Sequence, residues 1–201
     1  MLANIYLHLL DRIVNKAGSL YRANGVKIVR YADDFVLMGR KIPEAILERT
    51  HSLLTRMGLE INEEKSRVLD ASTMPFQFLG FQIRYDRDMH GRNKRYWNIV
   101  PSPKSNKQLR RKIGDYLKTA GHYPAEVLAH DLNMKLRGWL NYFTIEGVSY
   151  PAMSKRNLRW YLVHRLYRFY RRKSQRHSEL YCQRAFEVLV KQYGLIDPTT
   201  Y

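Results

Sequence analysis

One cysteine, Cys182, among 201 residues leaves no partner for an intrachain disulfide and no cysteine cluster for zinc, which fits a reducing compartment. It is expected to be a buried structural thiol, and the chain is expected in the cytoplasm. Acidic residues are also scarce: 18 Asp plus Glu stand against 35 Lys plus Arg, a formal charge of +17. No apolar run approaches the ~20 residues of a membrane-spanning helix. The apolar start, Met1 to Leu10, meets Asp11 and Arg12 at once and lacks the basic opening of a secretory signal, so no membrane partner is expected. The 7 histidines are scattered rather than set at zinc-ligand spacing, so no metal-finger or DNA-cleaving domain is expected. Repeats and low-complexity tracts are missing too.

What is present is core material and positive charge: 45% of residues are hydrophobic and 12% aromatic, enough for a chain of this length to fold. The cations sit among Tyr, Phe and Trp rather than in a lysine tail, a mixture that neutralises phosphates and stacks on bases. Nucleic acid is therefore the first partner to consider. Residues 1–97 hold 16 Lys/Arg and 11 Asp/Glu, whereas residues 98–201 hold 19 and 7, so the second part is much the more basic. Val100-Pro101-Ser102-Pro103 marks the break, since prolines and a serine there end a strand and open a helix. We divide the sequence into 1–100 and 101–201.

In the first part, Ile5, Leu9 and Ile13 recur at helical spacing up to Gly18, so the chain is expected to begin inside or at the edge of an amphipathic helix with no capped start. Val26 to Gly39 is β-branched and aromatic on both sides of an Asp-Asp pair, which predicts two strands joined by a very tight turn. Pro43 opens a helix that buries Ile46, Leu53, Leu54 and Met57 and ends at Gly58. Leu59 to Leu69 and Phe76 to Tyr85 read as further strands. The fold class is α+β, helices on an antiparallel sheet, followed by an all-α part. There, segments near 105–120, 124–142, 154–173 and 178–193 carry helical periodicity. Lys and Arg crowd their polar positions, with Tyr161, Tyr167, Phe169 and Tyr170 interleaved, and a helix so basic repels itself unless an anion lies beside it.

The sharpest local signal is Arg30-Tyr31-Ala32-Asp33-Asp34-Phe35-Val36-Leu37. Adjacent carboxylates between apolar strands are costly unless a cation offsets them. At a tight turn both can approach one metal region. Hard cations such as Mg²⁺, or Mn²⁺ in its place, take oxygen ligands and keep positions for substrate phosphates, and paired metals bind the attacking and leaving oxygens of phosphoryl transfer. An isolated Asp-Asp, by contrast, reads as turn chemistry alone.

Five ordered motifs decide between these readings. Leu2-Ala3-Asn4-Ile5-Tyr6-Leu7, Tyr31-Ala32-Asp33-Asp34-Phe35, Gly58-Leu59-Glu60-Ile61-Asn62-Glu63-Glu64-Lys65-Ser66, Phe78-Leu79-Gly80-Phe81 and Arg137-Gly138-Trp139-Leu140-Asn141-Tyr142-Phe143 together resemble the group II intron reverse transcriptase/maturase family along essentially the whole chain. The resemblance implies the later part of a polymerase palm over 1–100 and a helical, thumb-like maturase domain over 101–201. It implies RNA-templated DNA synthesis from dNTPs on a DNA primer, together with intron RNA binding. Asp33 and Asp34 become catalytic metal ligands. Lys65 becomes a general acid to departing pyrophosphate, or else a solvated loop lysine. Tyr31, Ala32, Leu79 and Gly80 would line the path of primer and nucleic acid, with Gly80 equally readable as a hairpin glycine. RNA contacts are assigned to Arg110, Arg111, Arg137, Arg168, Arg171 and Arg172, whereas Trp139, Tyr142 and Phe143 read as core.

The sequence departs from the family pattern at its start. Relatives carry a further catalytic aspartate and the fingers before the position where Met1 stands. The resemblance therefore leaves three readings: a reverse transcriptase portion whose fingers and aspartate come from a separate chain or were lost from the sequence, a basic helical RNA-binding maturase without chemistry of its own, or a decayed fragment without function.

Overall fold

The computed structural model describes residues 2–88, 94–173, 179–181 and 184–201, and the chain divides into two compact units, residues 1–68 and 69–201. The first runs α1 (Leu2–Asn15), the single-turn α2 (Leu20–Ala23), β1 (Lys27–Tyr31), β2 (Asp34–Met38) and α3 (Glu44–Arg56). Strands β1 and β2 pair antiparallel with Tyr31 opposite Asp34, leaving Ala32 and Asp33 as the loop. Pro43 stands at the α3 N-cap and Gly58 takes a φ of +69° just past its end, as the sequence led us to expect. Leu10, Val14, Tyr21, Val26, Ile46, Leu53 and Leu54 form the core.

The helix α1 forms as expected, and the strand expected over 59–69 does not. Helix α1 buries Leu7, Leu10 and Val14, while Ile5 and Leu9 are half or more exposed. The helix carries two apolar stripes, and Asp11, on the same side as Leu7 and Val14, is paired with Arg30 of β1; that pairing fixes which stripe turns inward. The stretch 59–69 is not a strand. Asn62 folds it into a turn, its carbonyl oxygen accepting from Lys65 N and Ser66 N and its side chain also accepting from Lys65 N. An asparagine that bonds its own downstream backbone competes with a ladder, and Glu63, Glu64 and Lys65 are all exposed.

The second unit opens with β3 (Phe76–Phe78), β4 (Phe81–Arg87) and β5 (Arg95–Pro101), a sheet of order β3-β4-β5 with both pairings antiparallel. Phe76 to Tyr85 is thus two paired strands rather than one. Leu79 and Gly80 sit at φ +50° and +78°, the left-handed values that a tight two-residue hairpin demands. Helices α4 (Pro103–Thr119), α5 (Ala125–Phe143), α6 (Ala152–Lys173) and α7 (Ala185–Tyr193) follow. Ser102 caps α4, its Oγ accepting from Ser105 N, with Pro103 in the first turn, where a missing N–H costs nothing. Leu158, Leu162, Leu166 and Tyr170 recur every four residues along α6 and meet Leu128, Leu132, Leu136 and Leu140 of α5 in one core.

The expected helix over 178–193 is shorter. A 3-10 turn, Glu179–Tyr181, precedes α7, and Leu180 and Phe186 both join the core. Cys182 lies outside the described residues. The junction at 100–101 falls inside the second unit, one residue before the end of β5. Ser102 N donates to Gly80 O at 2.9 Å and Tyr150 N to Ile99 O at 2.8 Å, which tie sheet to helices. Among the described residues no helix is long and apolar enough to cross a membrane.

Candidate active site and nucleic-acid interface

The carboxylate turn is built from both faces of the β1–β2 hairpin. Ile28, Phe35 and Leu37 pack on the core, so the alternate positions Val29, Tyr31, Asp34 and Val36 share the outer face. Tyr31 is 65% exposed and Val29 45%, and Asp33 and Asp34 are exposed as well. Ala32 holds a φ of +54°, which costs a non-glycine residue about 1–2 kcal/mol. Arg30 offsets that strain: its Nη1 donates to Ala32 O at 2.6 Å and to Asn4 Oδ1 at 3.1 Å, while Nε and Nη2 grip Asp11 at 3.1 and 2.6 Å. The turn is therefore clamped to α1 through one guanidinium.

Two successive, solvent-open carboxylates are hard oxygen donors that fit Mg²⁺ or Mn²⁺ with waters completing the sphere. No group of three His, Cys, Asp or Glu at metal-binding distance occurs among the described residues. Asp33 and Asp34 thus fit part of a metal site. Lys65 lies exposed in the turn at 62–66.

In the second unit, the Leu79-Gly80 tip is held by the helices. Tyr142 Oη donates to Leu79 O at 2.9 Å, and Ser105 Oγ donates to Gly80 O at 2.9 Å. A Cβ on Gly80 would stand 3.0 Å from Ser105 Oγ and 3.4 Å from the Phe143 ring, so both conformation and packing call for glycine. A polar cleft of about 300 Å³ opens beside the tip, lined in part by Gln77, Lys104 and Gln108.

Residues 1–83 match "Reverse transcriptase (RNA-dependent DNA polymerase)", and residues 106–186 match "Group II intron, maturase-specific domain". The chain belongs to the group II intron reverse transcriptase/maturase family. No curated protein matches it. The Asp33-Asp34 turn falls within the reverse transcriptase region and all six arginines of interest within the maturase domain.

The maturase domain does not treat those arginines alike. Arg111, Arg137, Arg168, Arg171 and Arg172 are exposed. Arg110 is half-buried, its guanidinium 5.6 Å from the Tyr161 ring centre while Tyr161 Oη donates to Arg110 O at 2.8 Å. Arg111 lies 3.6 Å from Asp115. Arg171 donates to Tyr167 Oη at 2.8 Å and stacks 5.5 Å over its ring.

Of the interleaved aromatics, Tyr170 is core: burial pushes its hydroxyl up to about 12. Tyr161 is half-buried, and burial raises its hydroxyl also. Among Trp139, Tyr142 and Phe143, expected together in the core, Tyr142 is half exposed because its hydroxyl serves the Leu79 carbonyl. The aromatic that faces solvent on α6 is Trp160, 66% exposed, with His164 edge-on at 4.2 Å. Arg156, Trp160, His164, Tyr167, Arg168 and Arg171 recur at three- and four-residue steps and form one basic, aromatic stripe.

Sequence reasoning passed over Arg30, Asp11 and Trp160. An arginine next to the Tyr-Ala-Asp-Asp string and an acid inside an apolar helix were the available signals for the first two. For Trp160 the signal was its four-residue offset from both Arg156 and His164 along the charged side of the helix.

Proposed function

We propose that this family member takes part in RNA-templated DNA synthesis and binds intron RNA through its maturase domain. The observation that carries the reading is the Asp33-Asp34 pair, presented open to solvent on a turn that Arg30 holds in a strained conformation, in a reverse transcriptase region joined to a basic helical domain. Strain maintained at an exposed carboxylate pair serves placement of those groups rather than stability. Divalent metal bound there would stabilise charge on the attacking and leaving oxygens of nucleotidyl transfer. Asp33 and Asp34 hold it, Lys65 neutralises or protonates pyrophosphate, and the Leu79-Gly80 tip with Lys104 receives the primer backbone. Arg111, Arg137, Arg168, Arg171 and Arg172 meet RNA phosphates.

Primer extension on an RNA template with Mg²⁺, with and without a fingers/palm fragment from a related enzyme, tests the polymerase half of the reading. Asp33→Asn should lower complemented extension at least 100-fold, the scale of losing one preorganised electrostatic group; unchanged extension ends the metal-ligand assignment. Replacing Arg168, Arg171 and Arg172 together by Gln should weaken RNA binding and flatten its dependence on log salt by about 0.7–0.9 for each phosphate no longer neutralised. An unaltered slope moves the RNA surface elsewhere. RNA binding with no extension under either condition favours the purely RNA-binding reading, for which the α6 stripe speaks independently of Asp33 and Asp34.

A further inference from the structure

The outer end of the three-stranded sheet carries an arrangement that neither the polymerase turn nor the α6 stripe uses. In β4 and β5 the paired positions alternate between two faces. Phe81 marks one face by packing on Phe143 and Tyr142 at 4.8 and 5.6 Å. Further along that same face, away from the helices, come Tyr85 opposite Trp97 and then Arg87 opposite Arg95. The Tyr85 and Trp97 rings lie 4.9 Å apart, Trp97 is 47% exposed, and the Arg95 guanidinium sits 5.8 Å from the Tyr85 ring centre. Arg87, Lys94 and Arg95 are exposed. The acids of this hairpin, Asp86 and Asp88, alternate to the opposite face together with Lys94, whose carbonyl accepts from Asp88 N at 2.9 Å; there Asp86 accepts from Asn98 at 2.7 Å and pairs with Arg84 at 3.1 Å. The result is a face with adjoining aromatic rings, cations around them and the carboxylates turned away.

We infer that the Tyr85–Trp97 face of the β4–β5 hairpin binds unpaired nucleotides of RNA, the rings stacking on bases and Arg87 and Arg95 meeting the flanking phosphates. Rings standing up from an open antiparallel sheet stack on splayed bases but cannot enter a base-paired duplex. Charge complementarity selects the occupant: two exposed cations, Arg87 and Arg95, and no carboxylate among the described residues of that face, on a chain of net charge +17, suit a polyanion. A helix binding a duplex through phosphates and a sheet binding a single strand through bases would together fit RNA at a junction between paired and unpaired segments. The inference rests on the RNA-binding reading above only in taking RNA as the polyanion.

The test uses the full chain and two probes, a 12-nucleotide single-stranded oligoribonucleotide and a blunt RNA duplex of 12 base pairs, each titrated at fixed salt. Trp97→Ala should weaken the single-stranded complex about 5- to 150-fold, the range for one lost base stack, and leave the duplex affinity within twofold. Trp97→Phe should restore most of the affinity. Tryptophan quenching by the oligonucleotide should be larger in the wild-type chain than in Trp97→Phe, a readout that needs no destabilising variant. Equal weakening on both probes, undiminished binding by Trp97→Ala, or identical quenching would overturn the inference. A parallel Arg168/Arg171/Arg172→Gln variant separates the two readings. If it weakens binding while Trp97→Ala does not, the sheet platform falls and the maturase reading stands; if neither variant matters, both fall.

Discussion

The two compact units expose different things. The first turns apolar side chains outward beside its carboxylates: Ile5, Leu9, Val29, Tyr31 and Met38 are all between 44% and 67% exposed. The second buries a continuous core drawn from α4 to α7 and covers much of it with arginine, lysine and aromatic rings, although Met134, Val148 and Met153 are exposed there too. Apolar surface around a two-stranded hairpin is what a sheet shows when it is built to be covered by further polypeptide. Cationic surface over a finished core is what a domain shows when it is built to meet a polyanion. The proposed metal ligands thus sit in the unit with apolar surface beside them, and the proposed RNA contacts in the more basic unit.

Truncating the two cores gives the largest effects and the most direct way to break this comparison. Leu162→Ala, at a fully buried site of α6, should cost about 2–5 kcal/mol, and Leu10→Ala should cost a similar amount in α1. Trp97, Trp139 and Trp160 all lie in residues 69–201, so tryptophan fluorescence reports the second unit alone. Its thermal transition should fall by several degrees in Leu162→Ala and stay put in Leu10→Ala. A common shift would show that the two units unfold as one.

A smaller effect sharpens the account of the carboxylate turn. Asp11→Asn leaves the Arg30 guanidinium, 11% exposed in its side chain, without its carboxylate, and should cost about 1–3 kcal/mol. Hydrogen exchange should quicken at the β1–β2 amides and not in α5 or α6. Unchanged protection in the hairpin would remove Arg30 from its clamping role.

The smallest effect is a pH dependence confined to the second unit. Burial works to raise the Asp197 carboxyl, but hydrogen bonds from Thr199 Oγ1 and N, and then Arg159 at 2.8 Å, bring it below the ordinary carboxylate value. A depressed folded value means stability that is complete above the unfolded value of about 3.9 and lost as pH falls through the folded one. The second unit should therefore lose stability below about pH 4, and Asp197→Asn should flatten that slope. A wild-type slope in the variant would assign the acid response to other carboxylates.

Where one rule governed a segment, the sequence was legible. The helices of the second unit follow from four-residue spacing of leucines, α3 from its proline and glycine ends, and the β1–β2 hairpin from β-branched runs around two aspartates. Segments under two rules were not. Helix α1 carries two apolar stripes, and only its long-range ion pair with β1 selects one. The stretch 59–69 has a strand's apolar letters and a turn's asparagine, and the local hydrogen bonds prevailed. Asp33 and Asp34 were visible as letters, but the clamp that Arg30, Asp11 and Asn4 place behind them joins residues 19 and 26 positions apart, which no local pattern records. In α6 the tyrosines looked like the stacking groups, yet facing direction separates Trp160 from its neighbour Tyr161.

The ties at the Leu79-Gly80 tip bear on how proteins of this kind can be recombined. A chimera cut at residue 101, where composition changes, would take the helices of one parent and the hairpin of another. It would then have to re-form the bonds that Ser102, Ser105 and Tyr142 make to two backbone carbonyls and refit a glycine whose Cβ, were one added, would stand 3.0 Å from a serine hydroxyl. Backbone carbonyls are present in any parent, but the fit at that glycine is particular to this pair of surfaces. A crossover near residue 69 carries the hairpin and its clasp together, and so exchanges a working module rather than half of one.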